Sequence, residues 1–150
     1  ALVHTPHRDK LAGLHRTLDV VRESELPVER TLLDHLNETT VAAAADSGCW
    51  LGFSVYPDTK MDPNRMVAVL RTFGTERMLV NSAADWGRSD PLKTREVADA
   101  MLAAGFTDDD VDRVLWRNPV AFYGLSGRLR LDVPAPGALH EGNSVLRGGE

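Results

Sequence analysis

Residues 31–36 of this chain read TLLDHL, a short apolar run that ends in an acid and a histidine. The run does not alternate between apolar and polar side chains, and Pro27 separates it from the preceding segment. Apolar runs of this kind are typical of strands buried on both faces in a parallel sheet. We therefore predict a short buried strand here, with Asp34 and His35 at its carboxyl end.

Working outward, the chain alternates between similar apolar runs and segments of helical periodicity. Strand-like runs begin near residues 1, 30, 49 and 77. The segments with apolar residues at helical spacing are 8–24, 41–46, 63–73 and the stretches after Pro91 and Thr107. The predicted order is β-α-β-α-β-α-β-α-α, an α/β fold of parallel (β/α) units. Such units suit half of a (β/α)₈ barrel of the TIM type or, alternatively, a small doubly wound sheet.

Helix boundaries are marked by local signals. Asp62 before Pro63 predicts a capped helix start, and Gly74 predicts its end. Thr107 with Asp110 resembles a capping box, with aspartate in place of the usual glutamate. We expect residues 1–131 to form the half-barrel, with four (β/α) units and a closing helix, and residues 132–150 to form a flexible tail.

Composition narrows the classes of protein. The 17 Lys and Arg residues against 22 Asp and Glu give a net charge of −5, which disfavours tight binding to a nucleic-acid backbone. No apolar run reaches the length of a membrane span, so we expect no membrane association. The single cysteine, Cys49, excludes an internal disulfide and fits a cytoplasmic protein; we expect it to be a buried bystander. The apolar start at Ala1 suggests that a further segment precedes this one.

Polar residues with metal-binding side chains follow three of the four predicted strands. His4 ends the first strand, His35 ends the second, and Asp85 follows the fourth. In parallel α/β folds, functional residues lie at the carboxyl ends of strands. Two imidazoles and a carboxylate could hold a divalent cation such as Zn²⁺, and Asp85 could accept a proton from a metal-activated water. The sequence therefore predicts His4, His35 and Asp85 as metal ligands, with Asp85 also catalytic.

Each of these residues also has an ordinary structural interpretation. A histidine after a strand is often a loop residue, and Asp85 alone would suit a turn. His7 and Glu38 lie just past two strand ends, where they could support the ligands or simply face solvent. Trp86 could line a pocket or belong to the core.

The residues at the strand ends, in this order, resemble the TatD-related branch of the amidohydrolase superfamily. The resemblance covers about residues 1–125, the last four strands of such a barrel, and is carried by the segments 3–5, 34–36, 51–54, 80–85 and 118–125. It implies a (β/α)₈ barrel that hydrolyses phosphoester or related bonds of a small-molecule or nucleotide-type substrate. It also implies a divalent metal ion (Zn, Mg or Mn), with His4, His35 and Asp85 as ligands.

The chain also departs from that family. It contains no His-x-His pair, and the fourth-strand carboxylate has no counterpart. The family's eighth strand often reads Glu-Thr-Asp, whereas Ala83-Ala84-Asp85 lacks the Glu. We therefore expect the site to be completed by a missing N-terminal half or by a homo-oligomer partner. One hypothesis is a metal-dependent hydrolase that is incomplete alone; another is a non-catalytic half-barrel that serves as a binding or assembly module. A doubly wound sheet binding a phosphate-bearing ligand is weaker, because no glycine-rich loop follows the first strand.

Overall fold

Four strands form one parallel sheet, as the apolar runs predict, and they lie in chain order. The computed structural model of the chain describes residues 1–57, 60–82 and 90–131. The strands are β1 (Leu2–His4), β2 (Leu32–Asp34), β3 (Trp50–Val55) and β4 (Met78–Ser82), in the spatial order β1-β2-β3-β4. All three pairings are parallel. The α/β class is thus confirmed, and the sheet is consistent with part of a barrel.

Helices connect and follow these strands. They are α1 (Lys10–Glu23), α2 (Val41–Ala45), α3 (Pro63–Phe73), α4 (Lys93–Ala103), α5 (Asp108–Asp112) and α6 (Asn118–Gly124). A short 3₁₀ turn, Val28–Arg30, precedes β2, and a π-helical turn, Arg113–Arg117, joins α5 to α6. The predicted bounds 8–24, 41–46 and 63–73 each lie within two residues of the observed helix ends. Among the described residues, no helix combines the length and the apolar character that crossing a bilayer requires.

The predicted local signals form the expected caps. The Asp62 carboxylate accepts a hydrogen bond from the Arg65 amide at 3.0 Å, and Gly74 has a φ of +82°. Thr107 and Asp110 form a reciprocal capping box at the start of α5. Cys49 is buried, and burial raises the pKa of its thiol, as expected of a bystander. The predicted tail, 132–150, lies outside the described residues, as does the segment 83–89.

Apolar side chains cover both faces of the sheet. Neighbouring residues of one strand point to opposite faces, so Leu33 joins a large cluster while Leu32 joins a smaller one. The large cluster packs the helices around Phe53, which is fully buried. In the smaller cluster, Leu32 and Leu79 pack against Phe122 of α6. Burial on both faces explains why the strands read as continuous apolar runs.

α6 is fixed to the start of β4 by the buried side chain of Asn118. Its amide nitrogen donates to the carbonyl oxygens of Thr75, at 2.7 Å, and Met78, at 2.8 Å. We expect Asn118→Ala to lower the free energy of unfolding by about 2–4 kcal/mol, since two buried carbonyls lose their partner. Asn64→Ala, at an exposed position of α3, should change it by less than about 0.5 kcal/mol. Urea unfolding of both variants checks this, and equal losses would contradict the anchoring role.

Candidate metal centre

His4, Asp34 and His35 meet where β1 and β2 end. His4 is paired in register with Asp34, so both last residues lie at the same edge of the sheet. One ligand atom from each of the three residues can be chosen so that all lie within 4.8 Å of one another. Asp34 and His35 are buried, and His4 is exposed, so the group is open to solvent on one side. The structure thus brings together the predicted His4 and His35, and it adds Asp34.

The two histidines are hydrogen-bonded to each other. His35 Nε2 lies 2.9 Å from His4 Nδ1, and the ring centroids are 4.7 Å apart. Two nitrogens bound to one tetrahedral Zn²⁺ at ordinary distances are separated by about 3.3 Å, so only a small opening of the pair would be needed. The donor set of two imidazole nitrogens and a carboxylate oxygen fits Zn²⁺ or another borderline divalent ion.

His35 is held by contacts on the side of its ring away from His4. Its Nδ1 lies 2.8 Å from the Ser54 hydroxyl, which is buried in β3. Such a contact at the second ring nitrogen fixes the orientation of a metal-binding histidine. Burial lowers the pKa of His35. The nearby Asp34 carboxylate raises this pKa, whereas Lys60, His4 and His7 lower it further. The neutral imidazole, which is the form that binds metals, is therefore favoured.

Asp34 shares the site because the backbone turns at His35. In an extended strand, successive side chains point to opposite faces. His35 instead has a φ of +63°, in the left-handed region that most residues avoid. Its amide donates to Asp34 Oδ1 at 2.8 Å, and Asp34 Oδ2 lies 3.7 Å from His35 Nε2. Sequence reasoning gave Asp34 no role, because strand alternation alone would separate it from His35.

Gly52 provides the space that the Asp34 carboxylate occupies. A Cβ atom at this position of β3 would lie 2.7 Å from Asp34 Oδ1 and 3.2 Å from its Cα. The first distance is shorter than any ordinary contact, so a larger residue would displace the carboxylate. The glycine in the sequence LGFS was the signal that could have pointed to a group packed against this strand.

The other predicted site residues have different surroundings. The His7 ring stacks on His35, with 5.8 Å between centroids. Glu38 pairs with Arg65, its Oε1 accepting from Nη2 at 2.5 Å and from Nε at 3.0 Å. Asp85 and Trp86 lie outside the described residues. Of the residues predicted to support the ligands, His7 thus touches the site, and Glu38 belongs to an ion pair beside it.

A pocket of about 460 Å³ adjoins the group and shares His35 and Ser54 with it. Its further lining residues include His7 and four basic side chains, namely Arg8, Lys10, Lys60 and Arg65. Lys10 Nζ donates to the His35 carbonyl at 3.2 Å. Burial lowers the pKa of Lys10. The positive charges of Lys60 and Arg65 lower this pKa further, whereas the negative charge of Glu38 raises it. A ligand in this pocket would lie directly beside the metal-binding residues.

The chain is similar to an uncharacterized metal-dependent hydrolase of Methanocaldococcus jannaschii. The two are 20% identical over 124 residues, which cover 83% of this chain and 49% of that protein. The chain thus spans about half the length of this relative. No family model matches the chain, and no solved structure matches it.

Proposed function

We propose that the chain is the metal-binding, C-terminal half of a TatD-like (β/α)₈ hydrolase that cleaves phosphoester or related bonds. The observation that carries the proposal is the convergence of His4, Asp34 and His35 at the carboxyl edge of a parallel sheet. Active sites of (β/α)₈ enzymes are found at this edge. The similarity to a protein named as a metal-dependent hydrolase supports the same chemistry.

In this proposal His4, Asp34 and His35 hold a divalent ion, and Asp85 is a further ligand and the proton acceptor. Asp85 follows the end of β4 by three residues, and β4 ends at the same edge of the sheet as β1 and β2. A bound divalent ion would supply the positive charge that acidifies a water molecule and polarises the bond under attack. Ser54 and His7 keep the His35 ring in place, and the neighbouring pocket holds the substrate.

Within the described residues, the two outer strands of the sheet, β1 and β4, each have one lateral side without a partner strand. β1 pairs only with β2, and β4 only with β3. Unpaired strand edges readily accept further strands. We propose that the unpaired lateral sides of β1 and β4 pair with an N-terminal half of the barrel or with a second copy of the chain. This pairing supplies the remaining ligands.

Metal analysis and an activity assay test the proposed function. The purified chain is dialysed exhaustively, its zinc content is determined, and hydrolysis of bis-p-nitrophenyl phosphate is followed with and without chelator. We expect near-stoichiometric metal in the chain, and we expect hydrolysis, which chelator abolishes and zinc restores, in samples in which the chain is paired with an N-terminal half or with a second copy. Bound metal without hydrolysis in such paired samples would favour the alternative of a non-catalytic binding or assembly module. A chain that takes up no metal would contradict the proposed site.

The hydroxyl of Ser54 offers a test of the geometry around His35. We expect Ser54→Ala to weaken zinc binding about 10-fold or more, because residues that orient a metal-binding histidine typically contribute 10- to 100-fold in affinity. Ser126→Ala is the matched control, since its exposed hydroxyl bonds only to the Tyr123 carbonyl and the Arg128 amide among the described contacts. Competition titration with a zinc indicator measures both. An unchanged affinity in Ser54→Ala would show that the hydroxyl does not position the ring.

A further inference from the structure

The left-handed turn at His35 depends on the two peptide groups that flank this residue. Because peptide groups are planar, the positions of these two groups fix the φ and the ψ of His35. In the first group, the Asp34 carbonyl accepts from the Thr5 hydroxyl at 2.7 Å and from the Thr5 amide at 3.1 Å. The His35 amide of the same group donates to Asp34 Oδ1 at 2.8 Å. This first peptide group is thus held at both its carbonyl and its amide.

The second peptide group, between His35 and Leu36, is held by residues of two different elements. Its amide donates to the Gly52 carbonyl of β3 at 2.9 Å, and its carbonyl accepts from Lys10 Nζ at 3.2 Å. An ammonium is a charged donor, and hydrogen bonds with a charged partner are stronger than those between neutral groups. Left-handed backbone at a residue other than glycine persists only where its surroundings hold it. Lys10 therefore completes the set of contacts that the turn requires.

The segment before α1 fixes the position of Lys10. Asp9 has a φ of +47°, so the chain bends sharply just before Lys10, the first residue of α1. Pro6 packs against Gly13 of the same helix, where a Cβ atom would lie only 2.8 Å from Pro6 Cγ. Among the described contacts, the hydrogen-bond acceptor of the Lys10 ammonium is the His35 carbonyl. Lys10 is therefore placed by its own segment, and its side chain reaches from α1 to the turn.

We propose that Lys10 is a positioning residue of the metal centre, because it holds the turn that brings Asp34 and His35 together. The inference rests on the proposed function in treating these two residues and His4 as metal ligands. Lys10 acts through the His35 carbonyl, and its positive charge would by itself oppose a bound cation. If charge alone mattered, loss of the Lys10 ammonium would strengthen cation binding. Loss of a positioning contact weakens it instead, so the two roles have effects of opposite sign.

Amide hydrogen exchange in the metal-free chain measures how firmly the turn is held. The Leu36 amide belongs to the same peptide group as the His35 carbonyl, so loosening of that group exposes the amide to solvent. We expect Lys10→Met to speed exchange of the Leu36 amide about 10-fold or more, since it removes a hydrogen bond from a charged group. The Leu51 amide of β3, which donates to the Arg77 carbonyl at 2.9 Å, should exchange at the parent rate.

Zinc affinity tests the link between the turn and the metal centre. We expect Lys10→Met to weaken zinc binding about 10-fold or more, the effect typical of residues that orient metal ligands. Lys10→Arg keeps a cationic N–H donor and should restore most of the zinc affinity and the slow exchange of the Leu36 amide. Lys93→Met is the matched control, because Lys93 is likewise the first residue of its helix, α4, and pairs there with Glu96. Circular dichroism confirms that the variants are folded.

Several results would overturn the inference. They are unchanged or tighter zinc binding in Lys10→Met, parent-like exchange of its Leu36 amide, an equal rise in exchange at Leu36 and Leu51, or no recovery in Lys10→Arg. When the parent chain binds zinc, each of these results leaves the proposed hydrolase standing. A parent chain that binds no zinc would instead refute the proposed hydrolase, and exchange in the metal-free variants would still decide whether Lys10 holds the turn.

Discussion

Replacement of His35 is expected to reduce zinc affinity by more than about 100-fold. That factor is the upper end of the effect of residues that merely orient a ligand, and His35 is proposed to be a ligand itself. Its loss removes one nitrogen donor, and it also removes the 2.9 Å contact of the ring with His4 Nδ1 and its 3.7 Å contact with Asp34 Oδ2. Competition titration with a zinc indicator on His35→Ala measures the loss.

Two further variants separate loss of a ligand from loss of the fold. His35 has a positive φ, which alanine tolerates poorly and asparagine tolerates better, so His35→Asn should keep the turn without the imidazole. We expect His35→Asn to unfold at about the same urea concentration as the parent chain. Its zinc affinity should nevertheless be as low as that of His35→Ala. His15→Ala, at an exposed position of α1, is the matched histidine control and should bind zinc normally. Parent-like zinc affinity in both His35 variants would refute the proposed centre.

Gly52→Ala is expected to cause the second large effect. The added Cβ would lie 2.7 Å from Asp34 Oδ1 and 3.2 Å from the Asp34 backbone, so the carboxylate and the strand must shift. Overpacking of this kind typically costs about 1–3 kcal/mol of unfolding free energy. Zinc affinity should fall as well, because Asp34 leaves its place among the ligands. Urea unfolding and zinc titration measure the two effects.

Gly124, the last residue of α6, supplies the control. A Cβ at Gly124 in α6 would meet no atom within 4 Å, so Gly124→Ala should be neutral or slightly stabilising. In an Asp34→Ala background, Gly52→Ala should cost less stability and should weaken zinc binding no further, since the shortest contact of the added Cβ, with Asp34 Oδ1, is then absent. Equal behaviour of the two glycine variants, or additive losses in the double variant, would show that Gly52 does not make room for Asp34.

Much of the fold could be predicted from local features of the sequence. The apolar runs around Leu32 and Phe53 predicted buried parallel strands, because burial on both faces leaves no polar position within the run. Asp62 and Thr107 marked helix starts, since a capping side chain bonds to amides two or three residues away. These signals depend only on residues that are neighbours in sequence, and therefore a single sequence is enough to find them.

The candidate site was predictable in part. His4 and His35 could be found because parallel strands bring their carboxyl ends to one edge, so residues at equivalent strand ends become neighbours. The role proposed for Asp85 stays a prediction. Asp34 was missed because its contribution depends on the positive φ at His35, which the residue type does not announce.

The sequence by itself determined which segments are strands and helices, and which ends of the strands carry imidazoles. Only the tertiary structure decided how these side chains combine. The pairing of β2 with β3 placed Gly52 against Asp34 and Ser54 against His35, and the packing of α1 and α3 gathered Lys10, Lys60 and Arg65 around one pocket. The physical reason is one of range: periodicity and caps act over a few residues, whereas these contacts join residues that are about 20 to 55 positions apart and form only when the sheet and helices pack.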